Sequence, residues 1–306
     1  MTPRLALLPN PAAGGGRAER ILPEVLSELD ALGVERRVVT ASTLAEARIE
    51  AGRAAAAGEG VVAIGGDGLV GPVAGAMRGA TAALTIVPAG RGNDFARVLR
   101  IPREPRAAVR LAVEGEERLL DVGEVNGSAF VGIASLGFDS DANRIANKAK
   151  LVRGNLVYLY AALRALAGWR HARFEVTVDG ERHDATGYSV AVANSKAYGG
   201  GMFVVPHAQL DDGRLDVLLV GEKSKLRFLR DIPKVFRGTH VEDPAARFLR
   251  GERVEVAADR SFTVYADGDP IAELPALVTV ARRSLRVMCP PPAVPVAEAG
   301  AAASAP

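Results

Sequence analysis

The 306-residue chain is 48% hydrophobic and 24% charged, and its formal net charge is +2. That balance fits a globular protein with room for two domains, and it excludes a global field drawing the chain to nucleic acid. One cysteine, Cys289, excludes an intrachain disulfide framework and fits a cytoplasmic, reducing setting.

In chain order, Leu5–Leu8 reads as a short strand followed by the loop "NPAAGGG". Pro9 ends this apolar run too early for a signal-peptide core. Ile21, Val25, Leu29 and Leu32 recur at helical spacing. A strand over 34–40, an Ala-rich helix over 44–57 and a strand over 61–64 come next. "GGDG" then leads into a helix over 70–77 with Pro72 in its first turn. A strand over 83–87 runs into "PAGRGND". Alternating strands and helices indicate a doubly wound α/β domain, whose ligands bind beyond the carboxyl ends of the strands. Loops 10–16, 65–68 and 90–93 all follow strands, so they should meet on that edge.

From Asp121 the texture changes to strand-like runs at 129–134, 173–178, 187–194, 214–220, 253–257, 262–266 and 276–281. Turn residues separate them, as in "VDGER" and "LDDGR", which predicts an antiparallel β domain. Helical inserts fall near 139–168 and 223–237. The Pro/Ala-rich tail from Pro290 reads as disordered. The expected domains are 1–120, completed by a strand near 282–289, and 121–281. No uncharged apolar run approaches the roughly 20 residues of a membrane span.

Three glycines around Asp67 leave backbone N–H groups bare, which suits a phosphate, and the carboxylate suits its accompanying Mg²⁺. The alternative is a tight strand–helix connection. Asn93 and Asp94 are equally a helix N-cap pair. No G-x-x-x-x-G-K-[ST], no G-x-G-x-x-G after the first strand and no G-x-S-x-G is present. One cysteine and four scattered histidines give no zinc spacing.

"NPAAGG", "GGDGLV" and "PAGRGNDFAR" resemble the NPxSG, GGDGT and PxGTxNDFAR motifs of the diacylglycerol kinase catalytic family, above all its soluble bacterial lipid kinases. The resemblance continues through "DVGEVNG" at 121–127, "PHAQLDDGRLDV" at 206–217 and "DGD" at 267–269, where the family has DGE. It implies an α/β nucleotide-binding domain, a β-sandwich and an active site in the cleft between them. It also implies ATP-dependent phosphorylation of a lipid hydroxyl, with diacylglycerol the default acceptor. The residues implied for ATP are Asn10, Pro11, Gly14, Thr40, Gly65, Gly66, Asp67, Gly68, Arg91, Asn93 and Asp94. Asp67, Asp121 and Asp267 are implied around the catalytic Mg²⁺, and Asp269 as general base. Asp212, by side chain, and Gln209 and Arg214, by carbonyl, are implied for a structural Mg²⁺. Both "LDDG" and "ADGDP" also read as simple hairpin turns.

Leu69 and Arg91 replace family threonines, Asp269 replaces a glutamate, and Gly71-Pro72 replaces Asn-Glu. A basic stretch with Lys148, Lys150, Arg153, Arg164, Arg170 and Arg173 surrounds an apolar stripe of Leu156, Leu159, Tyr160, Leu163 and Ala167 beside Trp169. It reads either as contact with anionic lipid at the inner membrane face or as a core helix. The expected partner is a lipid substrate at a membrane surface, with no nucleic acid and no transmembrane segment. A homodimer is compatible with the sequence. Two rivals remain: an NAD kinase-like enzyme with a soluble acceptor, and a non-catalytic nucleotide-binding regulator.

Overall fold

The computed structural model describes residues 4–148 and 156–291. Lys150, Arg153 and the tail from Pro292 lie outside the described residues. The first half alternates as β1 Leu5–Pro9, α1 Arg17–Ala31, β2 Arg36–Val38, α2 Leu44–Ala56, β3 Gly60–Gly65, α3 Asp67–Met77, β4 Leu84–Pro88, α4 Asp94–Val98 and α5 Pro105–Glu114. The strands pair in parallel in the order β2-β1-β3-β4. Helices α1 and α5 pack together, as do α2 and α3. Such a sheet is covered on both faces, which explains the unbroken apolar run Val61–Ile64, entirely buried.

The second half carries β5 Glu116–Val125, β6 Ser128–Phe130, β7 Ile133–Gly137, α6 Phe138–Lys148, α7 Leu156–Gly168, β8 Ala172–Val178, β9 Glu181–Arg182 and β10 Ala185–Ala193. It continues through β11 Leu215–Gly221, α8 Lys225–Arg237, a short 3-10 turn at Thr239–Glu242, β12 Ala246–Gly251, β13 Arg253–Ala258, β14 Thr263–Ala266, β15 Asp269–Glu273 and β16 Ala276–Cys289. Its strands pair antiparallel with one another. Strand β16 belongs to both halves. Its start pairs with β13, and Val287 lies parallel to Leu84 of β4. Leu285, Val287 and Cys289 are buried in the core of the first half. A separate core forms around Phe130, Phe174, Tyr188 and Val190.

Several elements differ from their sequence expectation. The run 129–134 is not one strand. It breaks at Val131-Gly132, whose N–H groups turn to the Asp267 carboxylate instead of a ladder partner. The helix expected from Val70 begins at Asp67. Strand β12, "ARFLRG", was not expected, because arginines interrupt its apolar alternation. Helix α7 corrects the core-helix reading for the described part of its stripe, the side chains of Leu156 and Leu159 lying outside the described ones. Tyr160, Leu163 and Ala167 are exposed, whereas Ala161, Ala165, Leu166 and Trp169 are buried.

Helix α8 is fastened from below by a buried ion cluster. Lys223 Nζ lies 3.2 Å from Asp231 Oδ2 and 2.7 Å from Asp243 Oδ2, and each of the three side chains is at least nine-tenths buried. Burial opposes ionisation of both carboxyls, but the bonds from Lys223, joined by Lys234 at Asp231, outweigh it and hold both below the usual range. Lys223→Met removes the buried cation that the two carboxylates share, leaving only the half-exposed Lys234 at Asp231 and Arg227 at Asp243, and should cost up to about 3–5 kcal/mol, read from the urea midpoint. The carboxyls are depressed in the folded state, so their contribution is present above the usual carboxylate pKa and is lost as pH falls through the folded values. The gap between variant and wild type should narrow on acidification.

Candidate active site

The three glycine-rich loops meet at the carboxyl ends of β1, β3 and β4. Ala89 N donates to Gly65 O at 2.8 Å, and Asn10 N donates to Ile64 O at 3.0 Å. Gly14, at φ 58°, leaves no room for a side chain against the Ala89 carbonyl. A Cβ on Gly90 would stand 2.5 Å from the Gly66 Cα, so the second and third loops touch backbone to backbone. Asn93 locks the third loop. Its Oδ1 accepts from Gly90 N at 2.8 Å, and its Nδ2 donates to Gly90 O at 2.9 Å. Space stays open beside Gly15 and Gly68, where a Cβ would meet nothing within 4 Å. Pro11 and Arg91 are exposed at the rim, and Thr40 is exposed just past β2.

Four carboxylates border this edge. Asp67 opens helix α3, and its Oδ1 accepts from Phe95 N at 3.2 Å. A Cβ on Gly92 would lie 3.0 Å from Asp67 Oδ2 and 3.2 Å from Asp94 Oδ2, so both acids close on one backbone point. Asp94 Oδ2 accepts from Gly200 N at 2.7 Å. Its Oδ1 is buried without a hydrogen bond, with Arg97 Nε 4.0 Å away. Burial, with repulsion from Asp67, raises the Asp94 carboxyl.

Asp267 and Asp269 enter from the second half on the β14–β15 hairpin. Asp267 (φ 53°) and Gly268 (φ 96°) form its turn, with Ala266 opposite Asp269. This is the Asp-Gly hairpin favoured by strand twist, so the turn reading and the site reading both hold. The Asp267 carboxylate accepts from Val131 N at 2.9 Å and Gly132 N at 2.8 Å. It reaches over α3 at Gly71, where a Cβ would stand 2.9 Å from Asp267 Oδ2. Gly71 thus makes room for the acid. Burial pushes the Asp267 carboxyl up to about 7, and Asp67 and Asp269 add to the rise although the two amides oppose it. Asp269 is exposed on the hairpin, and partial desolvation raises its carboxyl.

The Asp121 carboxylate shares no hydrogen-bond partner with these four acids. It is fully buried, its Oδ2 accepting from Gly213 N and its Oδ1 from Arg283 N, both at 2.6 Å. It clips β5 to the turn at 211–213 and to the kink of β16. In that turn Asp212 Oδ1 accepts from Arg214 N at 3.0 Å, and Asp212 Oδ2 pairs with Arg250. The buried Asp216 lies 3.7 Å from the same guanidinium. Among the described residues, no hydrogen bond from the Gln209 side chain enters this cluster. Leu69 is 2% exposed and packs on Gly65, so the residue following the glycine loop faces the core and not the phosphate edge.

The loop carrying Gly200 was not singled out from sequence. Gly199, Gly200 and Gly201 all have positive φ, the same signature as Gly14–Gly16, and that run was the available signal. Asp139 was also passed over. Burial raises its carboxyl to about 6, although Tyr198 and Ser189 hydrogen-bond it. No periodicity marks such a residue. A shallow concavity lined by Trp169, Arg170 and Arg260 contains none of these groups.

Chemically, the edge offers backbone N–H groups, the N-terminus of α3 and crowded carboxylates, which together suit a polyphosphate with its divalent cation. Among the described residues, no three His, Cys, Asp or Glu side chains form a metal cage by themselves. Mg²⁺ ordinarily takes one or two carboxylates plus substrate phosphates. The unpartnered Asp94 Oδ1 and the repulsion among Asp67, Asp94 and Asp267 fit such an ion.

Comparison with known proteins agrees across the chain. A family model described as the diacylglycerol kinase catalytic domain matches residues 4–125. Another, described as the YegS C-terminal NAD kinase beta sandwich-like domain, matches residues 132–289. A Mycobacterium tuberculosis protein named diacylglycerol kinase is 32% identical over 295 residues, covering 94% of this chain and 95% of its own. A Bacillus subtilis protein of that name is 28% identical over 293 residues, covering 94% and 96%. A Bacillus anthracis crystal structure titled as a diacylglycerol kinase superposes with a TM-score of 0.75 at 20% identity, covering 95% and 98%. At that identity the likeness speaks for the fold.

Two outcomes test the geometry. Asp121→Ala strands two buried amide donors and should cost about 2–5 kcal/mol, measured by denaturant unfolding. Asp67→Asn removes a charge that repels Asp267, so the Asp267 carboxyl should titrate below about 7. It should stay above the usual range, since burial is the larger cause. Carboxyl ¹³C shifts against pH read this directly.

Proposed function

The chain belongs to the diacylglycerol kinase family, and on that premise we propose that it transfers the γ-phosphate of ATP to a lipid hydroxyl, converting diacylglycerol to phosphatidic acid. The observation carrying this reading is the meeting of the glycine loops with Asp67, Asp94, Asp267 and Asp269. It brings a phosphate edge and an acidic hairpin next to each other. The Asn10–Gly16 and Gly65–Gly68 loops would receive the phosphates through backbone N–H groups, with Arg91, Asn93 and Thr40 around the nucleotide. Asp67, with Asp94 and Asp267 beside it, would hold Mg²⁺, which neutralises charge developing on the transferred group. Asp121 would act at a distance, by fixing β5 and the 211–213 turn.

Asp269 would be the base. Both oxygens of Asp267 are already engaged by amides, whereas Asp269 is open to an acceptor. It would take the proton from the lipid hydroxyl as that oxygen bonds to the γ-phosphorus. The bond from the γ-phosphorus to the bridging oxygen breaks, and ADP leaves. Partial desolvation raises the Asp269 carboxyl, which makes its carboxylate a stronger base. At the second acidic turn, Asp212 with the carbonyls of Gln209 and Arg214 would hold a structural Mg²⁺, in competition with Arg250. The enzyme would work in the cytoplasm and meet its substrate at the inner membrane face. Among the described residues, no helix is long and apolar enough to cross a membrane.

The reading is tested with labelled ATP and diacylglycerol in mixed micelles, with NAD and a sphingoid base as competing acceptors. Labelled phosphatidic acid is expected. Label on NAD alone would favour the soluble-acceptor enzyme, and no turnover on any acceptor would favour a regulator. Asp269→Asn should lower turnover at least ~100-fold with little change in ATP affinity, and Asp269→Glu should retain activity. Mg²⁺ should raise the melting temperature of the wild type more than that of Asp212→Ala, followed by calorimetry.

A further inference from the structure

Helix α8 shows an outward face that the catalytic reading does not use. Leu226 is 81% exposed and Phe236 49% exposed. Pro233, also exposed, lies between them on the same side of the helix. Single exposed apolar residues are ordinary, but three in a row along one helix are not. Arg230 and Arg237 run beside this row, one and three turns after Leu226, and both are exposed. Among the described residues, neither has an acidic partner in an ion pair. The only acid on α8, Asp231, is buried and bound to Lys223 and Lys234. The outward face is therefore apolar along its centre and positive along its flank, with no carboxylate.

Two contacts tie this face to the rest of the molecule. Lys225 Nζ donates to Ala167 O at 2.9 Å, joining α8 to the end of α7, whose Tyr160 and Leu163 are also exposed. At its other end, Val235 O accepts from Phe203 N at 3.0 Å, and Gly238 packs on Pro206. Phe203 follows Gly199–Gly201, and Gly200 N holds Asp94 at 2.7 Å. A body seated on α8 is thus one short loop away from the acidic cluster.

We propose that α8 is the element by which this protein seats on an anionic bilayer. Leu226, Pro233 and Phe236 would enter the boundary between headgroups and acyl chains, and Arg230 and Arg237 would meet lipid phosphates. The proposal rests on the lipid kinase reading for its purpose, but its test does not depend on turnover. The occupant follows from charge complementarity: a row of apolar side chains flanked by unpaired guanidinium groups suits an anionic lipid surface.

The experiment is co-sedimentation with phosphatidylcholine vesicles, with and without phosphatidylglycerol, at increasing salt. The wild type should bind the mixed vesicles, weaken as salt rises, and bind phosphatidylcholine alone poorly. Arg230→Gln/Arg237→Gln should lower the partition coefficient on the order of 30-fold. Leu226→Glu/Phe236→Glu should also release the protein, and unchanged thermal melting would show that both variants are folded. Both should phosphorylate a short-chain, monomeric diacylglycerol at the wild-type rate while losing activity on vesicle-embedded substrate. Wild-type protein that ignores the mixed vesicles, or variants that bind like wild type, would overturn the docking assignment. So would light scattering that shows a wild-type dimer made monomeric by Leu226→Glu/Phe236→Glu, which would give the face to a second copy. Vesicle binding without turnover on the short-chain lipid would instead retain the docking face and refute the kinase reading.

Discussion

The constraint on which the site depends is the close approach of two backbones, Gly66 and Gly90. Only residues without a side chain allow the loops after β3 and β4 to touch. That contact sets Asp67 and Asp94 against the same point at Gly92, and places like charges where water is scarce. The cost shows in the raised carboxyls of Asp94 and Asp267. A folded protein retains such crowding when a ligand relieves it, and a metal-bound polyphosphate would do so.

The second half of the chain supplies what the first cannot. Asp267 crosses from the β14–β15 hairpin to lie over Gly71 of α3, while its oxygens are held by the amides at the break between β6 and β7. Gly200 crosses to Asp94 from another loop. Strand β16 joins the halves covalently, because one strand serves both cores. Asp121 holds that strand at its kink through Arg283 N. The relative placement of the acidic hairpin and the glycine loops therefore rests on buried polar bonds as much as on apolar packing.

The departures from the family motifs acquire physical meaning in this setting. Leu69 is a core residue, so the missing hydroxyl was not lost from the side of the loop that faces open space. Gly71 is the floor under Asp267, and a larger residue there would have to share space with that carboxylate. Asp269 has a shorter reach than glutamate, and it directly follows the tight turn formed by Asp267 and Gly268, which fixes where it leaves the hairpin.

The sequence by itself determined the alternation of strands and helices in the first half, the antiparallel character of the second, and the three glycine-rich loops with their acids. These are local signals, since apolar period and glycine clusters are written in neighbouring residues. Tertiary structure alone decided which acids gather. Asp121 and Asp267 look alike in sequence, yet one is a buried clip bound by two amides and the other overhangs the phosphate edge. It also decided that Tyr160 and Leu163 face outward, because Ala161, Ala165 and Leu166 make the buried side of α7, with the buried Trp169 just past its end. Which face of an amphipathic helix is covered, and which carboxylate lies beside which, depends on contacts between segments far apart in the chain. No local pattern records those contacts.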